Sequence, residues 1–153
     1  MMSKSITQGI VQFRHASLPG GCGETWYRIV GKLQPDSCPL VLLHGGPGSP
    51  SSIFHNHFDD LAVISGNHLI FYDQIGCGRS THFPEAREDT SLWTVQLFVD
   101  ELENLLNKLR VTRFDLYGHS WGGMLAAQVA VLDTLFVRNL RRLIIASAPA
   151  SVK

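Results

Sequence analysis

Neither sign of charge prevails in this chain: 13 Lys and Arg stand against 13 Asp and Glu. A balanced surface offers no electrostatic argument for a nucleic-acid partner or for an anionic membrane. Cysteine is scarce, with only Cys22, Cys38 and Cys77, and no CxxC pair. An odd, unpatterned set excludes a disulfide framework and fits reduced thiols, so the expected compartment is the cytosol. Residues Met1 to Gln8 are polar, and no apolar run is long enough to cross a membrane, so neither a signal peptide nor a membrane anchor is expected. There is no GxGxxG and no P-loop. His55 and His57 are the only close histidine pair and have no third ligand nearby. No cofactor and no metal are expected.

What is present is an ordinary globular composition. The chain has 153 residues, 44% hydrophobic and 17% charged, enough for one domain with a core. Gly9 to Arg14 and Glu24 to Val30 read as strands, separated by the turn Gly20 to Gly23. They follow each other without a helix, which suggests an antiparallel hairpin at a sheet edge. Pro39 to His44 and His68 to Asp73 are short apolar runs of the kind buried on both faces of a parallel sheet. Phe114 to Gly118 and Leu143 to Ala148 are two more. Helices are expected over Ser52 to Ile64, Ser91 to Arg110 and Trp121 to Leu132. In the second of these, Thr90 or Ser91 would cap the start, and Asp100, Glu101 and Glu103 would form the solvated face. Alternating strands and helices define an α/β fold with about six mostly parallel strands, and ligands in such folds bind beyond the carboxyl ends of the strands.

Three loops at those ends carry the chemistry. The first is Gly118-His119-Ser120-Trp121-Gly122-Gly123, a G-x-S-x-G turn between an apolar strand and a helix. Strand must become helix within one residue there, so the serine is strained and its neighbours must be small. Ser120 is the candidate nucleophile. The second is His44-Gly45-Gly46-Pro47-Gly48, whose glycines expose backbone N–H groups beside a strand end. A tetrahedral intermediate needs donors already in place where its oxygen turns negative. The N–H groups of Gly46 and Trp121 are the candidates for this oxyanion hole, with His44 orienting the loop. The third is Asp73-Gln74-Ile75-Gly76-Cys77-Gly78-Arg79-Ser80. It reads as structural: Asp73 would tie down the glycine turn by accepting local N–H bonds, and Arg79 could pair with a carboxylate. His119 adjoins Ser120, and adjacent side chains diverge at such a turn, so it is not the expected base. His55, His57, His68 and His82 default to surface or packing roles.

With these motifs in order, the chain resembles the proline iminopeptidase family of α/β-hydrolases. His44 to Gly48 matches the family's HGGPG loop. Asp73 to Ser80 resembles its DQRGxGRS segment, with Ile75 where many members have arginine. Gly118 to Gly123 resembles its GxSWGG elbow. The resemblance runs from about Gly9 to near the end. It implies release of an N-terminal proline or similar residue from a small peptide or amide, with Ser120 as nucleophile. Related proteins include amino-acid amidases and members of secondary-metabolite pathways, so amidase or esterase activity stays open.

The remainder of the triad is missing. In this fold the order is Ser, then Asp or Glu, then His. The residues from 121 to 153 contain one acid, Asp133, and no histidine. The family would continue with a helical cap, two more strands, and the acid and base. Residues 1 to 153 are therefore expected to be a partial α/β-hydrolase domain, with the last strand left as an apolar edge. A catalytically dead fragment or a subunit completed by another chain is the alternative reading.

Overall fold

The computed structural model describes residues 5–132, 134 and 136–149. Asp133, the one acid downstream of Ser120, lies outside them, as does the end of the segment after the last strand. The strands are β1 (Ile6–Arg14), β2 (Cys22–Val30), β3 (Leu40–Leu43), β4 (Leu69–Tyr72), β5 (Phe114–His119) and β6 (Leu140–Ala146). The helices are α1 (His55–Ser65), α2 (Val95–Lys108) and α3 (Trp121–Val131). The sheet order is β1-β2-β4-β3-β5-β6. β1 and β2 form the expected antiparallel hairpin at one edge, and β2 also runs antiparallel to β4. β4, β3, β5 and β6 are parallel.

The alternation of side chains along each strand divides the core in two. Val41 and Leu43 of β3 join Ile70 and Tyr72 of β4 in a cluster with Leu97, Leu105, Leu125 and Val129 from α2 and α3. The intervening Leu42, Leu69 and Phe71 face the other way, onto Phe54 and Ala62 of the α1 segment. All four side chains of β4 are fully buried. That is why these strands read as unbroken apolar runs rather than as alternating patterns.

Several boundaries move, with β1 and β2 starting earlier than expected, at Ile6 and Cys22. α2 begins at Val95, not Ser91, and its cap is Thr94, whose Oγ1 accepts the Leu97 N–H at 3.3 Å. Asp89 takes the Ser91 N–H and hydroxyl at 2.9 and 2.6 Å, holding that segment in a turn before the helix can start. The α1 segment opens with a 3-10 turn at Ser51–Phe54. β6 starts earlier than expected because Arg141 can stay in the strand: its guanidinium forms a two-point pair with Asp115 of β5, at 2.9 and 2.6 Å.

Glu101 corrects the reading of α2. It is not on a solvated face but completely buried, accepting the Thr25 hydroxyl at 2.6 Å. The outer strand β6 is, as expected, an open edge. Leu143, Ile144 and Ile145 point to alternate faces and are all exposed, at 37%, 46% and 47%. No helix among the described residues is long and apolar enough to cross a membrane.

Candidate active site

The elbow is built by steric necessity. Ser120 sits between β5 and α3 at φ 54°, ψ −120°, a conformation costing a non-glycine residue about 1–3 kcal/mol. It is held there by neighbours that can only be glycine. A Cβ on Gly118 would lie 2.2 Å from the Gly122 carbonyl oxygen, and one on Gly122 would lie 2.1 Å from the Leu43 carbonyl oxygen. α3 thus starts in contact with the end of β3, and the serine is carried at the top of the sheet. Its N–H is fixed by the Ala146 carbonyl of β6 at 3.0 Å.

The loop after β3 reaches the same place. A Cβ on Gly45 would come within 3.2 Å of the Ser120 Cβ, so the backbone of the His44–Gly48 loop passes directly beside the serine. Gly46 has φ 120°, where glycine is at ease, and Trp121 is the first residue of α3, where N–H groups have no intrahelical acceptor. The structure therefore sets Ser120, with Trp121 next to it, beside the loop that carries Gly46.

His44 is fully buried. Its Nε2 accepts the Gln74 N–H at 2.9 Å, which leaves the ring proton on Nδ1, facing the Gly45 carbonyl at 2.9 Å. Burial holds its pKa below the ordinary histidine value. A neutral imidazole with both nitrogens engaged is a loop support, not a base. His119 turns its ring edge-on to Phe54, with centroids 6.3 Å apart.

The third loop is structural, as expected. Asp73 Oδ1 accepts the N–H and the hydroxyl of Ser51, both at 2.7 Å, and Oδ2 accepts the Arg79 N–H at 2.8 Å. One carboxylate ties the glycine turn to the start of the α1 segment. The Arg79 guanidinium lies over the Trp26 ring, 4.4 Å from the centroid. The neighbouring Cys77 thiol is pushed up to about 12 by burial, with Asp73 and Glu101 adding to it, so it is an unreactive group.

Two further residues of the site were given no role by the sequence, although Gln74 lies within the third motif. Gln74 bonds to both His44 and Trp121. Glu101 accepts the Ile75 N–H, and burial pushes its carboxyl up to about 8. A helical wheel contains the signal for Glu101: it lies four residues from both Leu97 and Leu105, within the apolar stripe.

A cleft of about 880 Å³ opens beside the elbow. Pro47, Phe83, Trp93, Phe98 and Trp121 line it with apolar and aromatic surface, and His82 and Arg87 are the basic side chains in its wall.

This arrangement and the comparisons agree on the class. Residues 39–152 match the α/β hydrolase fold family, and the chain belongs to it. The chain is similar to proline iminopeptidases. It is 42% identical to that of Lactobacillus delbrueckii subsp. lactis over 146 residues, 94% of this chain and 47% of the relative. It is 48% identical to that of Lactiplantibacillus plantarum over 103 residues, 67% of this chain and 34% of the relative. Among solved structures, VinJ superposes with a TM-score of 0.74 at 42% identity, covering 94% of this chain and 44% of VinJ. The proline iminopeptidase of Mycobacterium smegmatis gives 0.70 at 38%, covering 97% and 45%. The chain spans about half the length, or less, of these relatives.

Proposed function

We propose that residues 1–153 form the N-terminal portion of a serine hydrolase domain that releases an N-terminal proline or similar residue from a small peptide or amide. The observation that carries this reading is the strained Ser120 with the Gly45 backbone packed against it. Ser120 attacks the carbonyl carbon, and the N–H groups of Gly46 and Trp121 receive the charge that forms on its oxygen. The aromatic wall of the cleft suits a compact apolar ring, and the three free thiols suit a cytosolic setting.

The acid and the base come from sequence beyond this half. Residues 121 to 153 contain no histidine, and His44 is committed to its loop. In another serine hydrolase, loss of the histidine lowers turnover about a millionfold. That observation favours a second reading for the 153-residue chain taken alone: a binding-competent but catalytically silent half.

The test is a fusion of residues 1–149 to the C-terminal half of the Lactobacillus delbrueckii subsp. lactis enzyme. Hydrolysis of a proline arylamide in preference to a simple aryl ester supports the peptidase reading. Preference for the ester replaces it with an esterase.

A further inference from the structure

Gln74 is 1% exposed, and it spends three polar groups on the two other loops. Its backbone N–H donates to His44 Nε2 at 2.9 Å. Its side-chain amide donates to the His44 carbonyl at 3.1 Å. Its side-chain carbonyl accepts the indole N–H of Trp121 at 2.9 Å. The amide has one orientation here: turned over, it would set donor against donor at the indole and acceptor against acceptor at the carbonyl.

The consequence runs through peptide planarity. With Nε2 used as an acceptor, His44 carries its proton on Nδ1 and donates it to the Gly45 carbonyl at 2.9 Å. The Gly45 carbonyl and the Gly46 N–H belong to one planar trans unit and point in opposite directions. Holding the first aims the second. On its other side, Gln74 holds the indole of Trp121, whose backbone N–H is the second donor.

We propose that the Gln74 side chain is a positioning group that steadies both oxyanion donors, holding the Gly46 loop through its bond to the His44 carbonyl and Trp121 through its indole. It touches no reacting atom. The proposal rests on the hydrolase reading only for the meaning of the donors; the rigidity it describes is a property of the folded chain.

The test is 15N relaxation on the 153-residue protein and on Gln74→Met, which keeps the side-chain volume and removes both side-chain bonds. In the unmodified chain, Gly45 and Gly46 amides should have order parameters near the rigid value of about 0.85. In Gln74→Met they should fall below about 0.6, while Val41 and Leu116 in the sheet keep theirs. Gln74→Glu keeps the acceptor for the indole but loses the donor to His44, so the Trp121 indole shift should stay while the loop loosens. The proposal is overturned if Gly45 and Gly46 stay rigid in Gln74→Met, if loop and sheet loosen equally, or if the loop is already mobile in the unmodified chain. Failure of Ser120 to react with a fluorophosphonate in the fusion would refute the hydrolase reading and leave this result standing.

Discussion

Glu101 of α2 accepts the backbone N–H of Ile75 through both carboxylate oxygens, at 2.9 and 3.0 Å. A completely buried side chain thereby anchors the loop that supplies Gln74 and one wall of the cleft.

That anchor makes stability depend on pH. Burial raises the Glu101 carboxyl from 4.5 to about 8, so between these values the folded state holds a proton that the unfolded state releases. Stability contributed at this site is complete below about pH 4.5 and declines as pH rises toward 8. Glutamine cannot titrate. The stability of the native chain minus that of Glu101→Gln, measured by urea unfolding, should fall steadily between pH 4.5 and 8. A constant difference across that range would show that the carboxyl does not titrate there.

The elbow glycines should be the least tolerant positions in the chain. Gly122→Ala would place a methyl 2.1 Å from the Leu43 carbonyl oxygen, and neither backbone can give way cheaply. A loss of about 3 kcal/mol or more is expected in denaturant unfolding. Gly20 has open space around it at φ 69°, so Gly20→Ala should cost only about 1 kcal/mol. Equal costs would mean that the elbow relaxes.

The open edge of β6 should govern behaviour in solution. Leu143, Ile144 and Ile145 leave both faces of an edge strand apolar and exposed. The 153-residue chain should scatter light increasingly with concentration, and Ile144→Lys should reduce that scattering several-fold. Unchanged scattering would place the association elsewhere.

Much of the fold was legible because β3 and β4 are buried on both faces and carry nothing but apolar residues. The serine elbow was legible for a related reason: the contacts at Gly118 and Gly122 admit no other residue, so the constraint is written in the letters themselves. Where burial depends on a partner, the letters are silent. Glu101 is charged and looked solvated, yet Thr25 and Ile75 supply its bonds from 76 and 26 residues away. The Gln74 side chain has no local partner. Its partners His44 and Trp121 lie 30 and 47 residues distant, and only the folded sheet brings them together. The seat of Arg79 over the ring face of Trp26 is likewise a contact that spacing does not reveal.

The central claim is that Ser120 is a nucleophile assembled in this half and activated from the other. Mass spectrometry after fluorophosphonate treatment tests it most directly, on the 153-residue chain and on its fusion to the C-terminal half of the Lactobacillus delbrueckii subsp. lactis enzyme. The fusion should carry one adduct, at Ser120, abolished by Ser120→Ala, while the chain alone remains unmodified. A folded fusion left unlabelled at Ser120, or a chain labelled equally without its missing half, would contradict it.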